Sequence, residues 1–84
     1  MTDSIFTERY ERFRLLLVKA RKNKRLTQVR VAAKLNRPQS FVSKYERGER
    51  RLDLVEFLEV AAVIGIDAHK FIKQLEAAEG RHAH

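Results

Sequence analysis

The stretch from Gln28 to Arg47, QVRVAAKLNRPQSFVSKYER, followed by Gly48, constrains the fold more than any other part of the chain. It reads as two short helices joined by a tight turn at Asn36-Arg37-Pro38. Val31, Ala32 and Leu35 give the first helix, from about Gln28 to Leu35, an inner face, and Thr27 is suited to cap it. Asn36 tolerates the left-handed conformation that ends a helix. Proline fits a first helical turn, so the second helix begins near Pro38 or Gln39. Val42 and Tyr45 point inward from it, and Gly48 stops it.

Two helices at this spacing form a helix-turn-helix, a device that presents its second helix to the DNA major groove. The charge distribution agrees. Residues 1–51 hold 15 Lys/Arg against 5 Asp/Glu, a net of +10, while residues 52–84 hold 3 against 6, a net of −3. A solvated surface without a partner has no need of this split, whereas a basic half facing a polyanion does.

The flanking segments read as further helices and never as strands. From about Thr7, the expected N-cap, to Asn23, the residues Tyr10, Phe13, Leu16, Leu17 and Ala20 recur on one helical stripe. The basic run from Arg21 to Arg25 closes that helix, where positive charge suits the macrodipole. Asp53 and Glu56 have the spacing of a capping box, with Leu52 and Phe57 placed as its hydrophobic staple. Leu58, Ala61 and Ala62 continue this fourth stripe, and Gly65 ends it. Asp67 caps a fifth helix flanked by Ile66 and Phe71. Ile72 and Leu75 carry it towards Ala78, with Gly80 as its terminator and a frayed end beyond.

Eighty-four residues with 44% hydrophobic content and a single proline make one small globular domain, with a core of about 7–79 and a frayed tail at 80–84. No cysteine is present, which excludes disulfides and thiol chemistry. His69, His82 and His84 are the only histidines, and neither a metal cluster, a nucleophile–base pair nor a Gly-rich phosphate loop is visible. No enzyme activity and no cofactor are expected. The charged N-terminus is not a signal peptide, and no apolar run approaches the roughly 20 residues of a membrane span. A cytoplasmic location is the expectation.

The chain resembles the Cro/C1-type (XRE) family of phage-repressor-like helix-turn-helix regulators. The matching residues are Leu26-Thr27-Gln28, Ala32, Leu35 and the run from Gln39 to Arg50, QSFVSKYERGER, and the resemblance spans about residues 13 to 75. It implies an all-α, compact five-helix, lambda-repressor-like DNA-binding domain. It implies that Gln39, Ser40, Ser43 and Lys44 face base edges, since Gln pairs with adenine, Lys donates to guanine and Ser serves either. Gln28 corresponds to a residue that bonds a DNA phosphate and braces the first reading residue. Thr27, Arg47, Arg50 and Arg51 fall where the family clamps the DNA backbone, contacts that set register without reading sequence. For Arg50 and Arg51 the alternative is a solvated turn. Phe41 matches an outward position near the backbone or a thymine methyl, and equally suits a core aromatic. Arg21 and Glu46 match a partly buried structural ion pair.

Two positions depart from the family pattern. Arg30 stands where an acidic residue usually completes the cap of the second helix. A cation there opposes the macrodipole by about 0.3–1 kcal/mol, so Arg30 is either an added phosphate clamp or a tolerated surface charge. Asn36 replaces a common glycine.

Occupancy of an operator by a short regulator without an effector domain points to repression, with autoregulation and contact with RNA polymerase as further expectations. A bacterial or phage setting follows from the resemblance. The competing function is a protein-interaction module, an antitoxin or a transcriptional bridging factor. One recognition helix reads too few base pairs for specificity in a genome, so a homodimer on a palindromic or near-palindromic double-stranded operator is expected. Ile66, Phe71, Ile72 and Leu75 are the expected dimer surface, with Ile5 and Phe6 as the alternative.

Overall fold

The computed structural model describes the backbone of residues 2–82 and the side chains of residues 8–77. Among the described residues there are five helices and no strand: α1 (Thr2–Asn23), α2 (Gln28–Leu35), α3 (Gln39–Glu46), α4 (Leu54–Ile64) and α5 (Ala68–His82). α2 packs on α3 and α4, α1 on α3 and α5, and α4 on α5. This arrangement encloses Leu17, Val31, Val42, Tyr45, Phe57, Val60, Ala61, Ile64 and Phe71 in one core. Phe13 bridges the two ends of the chain, with its ring 5.5 Å from Phe57 and 5.7 Å from Phe71.

Local signals explain most of the boundaries. Thr27 Oγ1 accepts from the Arg30 N–H, capping α2. Asn36 takes the left-handed conformation (φ 59°, ψ 45°), which turns its N–H back to the carbonyls of Ala32 and Ala33 and ends the helix. Asp53 and Glu56 form both bonds of the expected capping box, and the Asp67 carboxylate accepts from the N–H groups of His69 and Lys70.

Three boundaries or faces differ from the sequence expectation. α1 begins at Thr2, so Thr7 is inside the helix and is not its cap. No glycine or proline lies between Thr2 and Thr7 to stop the helix from extending. α5 continues through Gly80 to His82. A glycine costs a helix only about 1 kcal/mol and does not by itself end one. The inner face of α4 is Phe57, Val60, Ala61 and Ile64, while Leu58 and Ala62 are turned outward. Side chains of Ile5 and Phe6, the alternative dimer surface, lie outside the described residues, as does the end of the expected frayed tail.

Candidate nucleic-acid interface

The inward face of α3 is set by Phe41, Val42, Tyr45 and Glu46, all buried. Helical periodicity then turns Gln39, Ser40, Ser43 and Lys44 to the opposite side. Gln39, Ser40 and Lys44 are exposed and Ser43 is half-buried. The four residues expected to read bases therefore share one face, and packing against the core fixes its direction.

Behind that face lies a hydrogen-bonded line. The Arg21 guanidinium donates to Glu46 through Nε at 2.6 Å and through a second nitrogen at 3.1 Å. Arg21 also donates to the Leu26 carbonyl at 2.7 Å, tying the pair to the α1–α2 connection. Gln28 Nε2 donates to Glu46 Oε1 at 2.8 Å. Gln28 Oε1 accepts from Gln39 Nε2 at the longer distance of 3.4 Å. Glu46 is only 5% exposed, so three donors on one carboxylate oxygen pair replace the water it has lost.

Arg14 anchors the other end of α3, donating to the Glu46 backbone carbonyl and pairing with Glu11. Its guanidinium passes close beneath Gly48, which has φ +80°, and a Cβ there would lie 3.1 Å from Arg14 Nε. Gly48 thus serves both the left-handed turn and the close approach. Nothing in the helical pattern of α1 singles out Arg14 for this role.

Phe41 is not on the outward face. It is 8% exposed, its ring lies edge-on to Tyr45 at 5.6 Å, and the guanidinium carbons of Arg37 and Arg50 sit 4.5 and 4.7 Å from its centroid. The two cations cover a ring that would otherwise face water. Glu56 holds both of them, Arg50 at 2.8 Å and Arg37 at 3.8 Å. The Arg50 hydrogen bonds, followed by the Asp53 backbone N–H, pull the Glu56 carboxyl down to about 2.

The basic side chains expected to clamp the backbone divide into groups. Arg30 is exposed at the start of α2. Arg47 is exposed and pairs with Glu49 at 2.9 Å. Arg50 is neither a solvated turn residue nor a free cation, since it braces Glu56 and Phe41. Arg51 stacks 4.5 Å over Tyr10. It lines a groove between α1, α4 and α5 that shares no residue with the α2–α3 face. Lys22 and Arg25, which their place at the end of α1 marked only as macrodipole partners, border a hollow of about 450 Å³ with Thr27, Gln28, Val29 and Gln39. Arg25 reaches this place with φ +59°, an uncommon conformation for a residue other than glycine.

The four residues expected to form a dimer surface also separate. Phe71 is 5% exposed and belongs to the core. Ile66 is half-buried and borders a different hollow, beside Leu16 and Ala20. Ile72 and Leu75 do lie together, in the groove with Leu54, Tyr10 and Phe13, which has a volume of about 710 Å³.

The helix-turn-helix family model matches residues 17–71, which takes in α2, α3, α4, the end of α1 and the first turn of α5. A solved structure, the XRE-family like protein from Pseudomonas syringae pv. tomato str. DC3000, is 45% identical. The similarity covers 92% of this chain and 94% of that one, with a TM-score of 0.89. The chain belongs to the Cro/C1-type (XRE) helix-turn-helix family. This is a family of DNA-binding transcriptional regulators, generally without enzyme activity. Among curated proteins none matches in sequence. Among the described residues, no helix is long and apolar enough to cross a membrane.

Proposed function

We propose that this XRE-family protein binds a specific double-stranded operator through α3 and represses transcription by occupying it, its own promoter included, in a bacterial or phage cytoplasm. The observation that carries this reading is the outward face of α3. Gln39, Ser40, Ser43 and Lys44 are held there by a buried inner face, and Gln39 is also held by Gln28. Side chains with donors and acceptors on a rigid helix suit base edges, and the surrounding net charge of +10 over residues 1–51 suits phosphates. Thr27, Gln28, Arg30 and Arg47 supply the backbone contacts in this reading, with Lys22 and Arg25 added beside them.

The operator is near-palindromic and the protein binds it as a homodimer. The second copy covers the apolar groove at Leu54, Ile72 and Leu75, where Leu54 and Ile72 are 66% and 38% exposed. Selection from random duplexes should return a consensus with two-fold symmetry and half-sites about one DNA turn, roughly 34 Å, apart. Sedimentation should show a dimer that Leu54→Asp converts to a folded monomer. A strict monomer on a single asymmetric half-site refutes the dimer, and failure to enrich any sequence refutes specific binding.

A further inference from the structure

We propose that Glu46 decides which base Gln39 reads, acting through Gln28. This rests on α3 being the recognition helix. Glu46 is 5% exposed, and its ion-paired carboxylate can only accept hydrogen bonds. Arg21 donates to Oε2 at 2.6 Å and to Oε1 at 3.1 Å. The only end of the Gln28 amide that can face this carboxylate is the NH₂ end, and Nε2 donates to Oε1 at 2.8 Å. The Gln28 oxygen is thereby turned towards Gln39. Gln39 must answer with its own NH₂, and its Nε2 lies 3.4 Å from Gln28 Oε1.

The polarity of one buried carboxylate is thus passed along two amides to the reading face. One N–H of Gln39 is spent on Gln28. Its other N–H and its Oε1 are left for the groove, a donor beside an acceptor. Adenine complements this pair, because its N7 accepts and its N6 amino group donates. Guanine offers two acceptors, N7 and O6, and meets the Gln39 oxygen acceptor against acceptor. Glu46 is therefore a positioning residue for specificity as well as half of an ion pair, although it sits behind the recognition helix.

Glu46→Gln tests this by changing polarity at constant shape. Arg21 Nε would keep the introduced oxygen at its shorter contact, and the longer Arg21 bond would be given up to an introduced NH₂ that faces Gln28. Gln28 would then turn over, and Gln39 would turn its oxygen to Gln28 and its NH₂ to the far base edge, where it opposes the adenine N6 donor and suits only O6 of guanine. Base selection from random duplexes on the full chain should be run for the wild type and for Glu46→Gln, Gln28→Leu and Gln39→Ala, each checked for folding by circular dichroism. At the base read by Gln39, Glu46→Gln should lower the adenine-over-guanine ratio by about tenfold or more. Gln28→Leu breaks the line without touching the ion pair and should narrow the ratio without reversing it; if Glu46→Gln does not fold, this variant decides alone. Loss of affinity with an unchanged base ratio in both variants, while Gln39→Ala relaxes it, overturns the proposal and leaves the recognition helix standing. An unchanged ratio in Gln39→Ala overturns both.

Discussion

Removing Glu46 should destabilise the domain far more than removing Glu46 and Arg21 together. Glu46 is 5% exposed, and the side chains of the pair are 11% and 6% exposed for Arg21 and Glu46 respectively. Glu46→Ala leaves a guanidinium in low-dielectric surroundings and deprives Gln28 Nε2 of its acceptor. Breaking a buried pair in this way costs about 3–5 kcal/mol, whereas replacing both members by apolar residues of similar volume is often close to neutral. Against a total stability of roughly 0.05–0.15 kcal/mol per residue, the single change removes a large part of what holds an 84-residue domain together. At about 4–8 °C per kcal/mol for a domain of this size, the midpoint should fall by well over 10 °C. Urea and thermal unfolding of Glu46→Ala, Glu46→Leu, Arg21→Met and the double change Arg21→Met with Glu46→Leu form the assay, the last three closing a double-mutant cycle. The expected coupling energy is at least about 2 kcal/mol. Strict additivity of the two single effects would show that the 2.6 Å contact carries no energy.

Acid should weaken the clamp around Phe41. The Glu56 carboxyl is lowered from 4.5 to about 2 in the folded protein, so its contribution is fully present above pH 4.5 and is lost as the pH falls through 2. Glu56→Gln should therefore flatten stability between those values in acid titrations followed by circular dichroism; an unaltered acid profile contradicts the clamp. Tyr45→Phe should leave stability unchanged or raise it in urea unfolding, because the Tyr45 hydroxyl is buried without a partner and an unsatisfied buried polar group costs about 1–3 kcal/mol. A marked loss would mean that the hydroxyl has a partner in solution. Arg30→Ala should weaken binding to all duplexes alike and reduce the salt slope by about 1. A change in the selected consensus would place Arg30 among the reading residues instead.

What was legible in the sequence was local in character. The Asp53–Glu56 box, the Asn36 turn and the inner positions Val31, Ala32, Val42 and Tyr45 each follow from residues within one or two turns. The Arg21–Glu46 pair came through the resemblance, not from spacing, since the two residues are 25 positions apart. The phase of α4 was not legible for a physical reason. LVEFLEVAAVI is apolar at nearly every position, so no polar stripe marks its outer face, and the choice of Val60 over Leu58 is made by the neighbouring helices. Phe41 was ambiguous because an aromatic residue between the outward Ser40 and the inward Val42 suits either side. Its burial depends on Arg37 and Arg50, brought to the ring by the turn before α3 and the loop after it. Arg14 beneath Gly48 and the left-handed Arg25 carry no local signal, the first being a contact between distant segments and the second occurring where glycine or asparagine is the usual choice.

The central claim, specific DNA binding through a basic face around α3, is tested most directly by measuring affinity for a selected operator and for a scrambled duplex of equal length from low to high salt. Affinity for both should fall linearly on logarithmic axes, with a slope of about 0.9 per phosphate contacted. At physiological salt the operator should remain preferred by roughly a thousandfold or more. A flat salt response, or equal affinity for the two duplexes at physiological salt, would contradict the account.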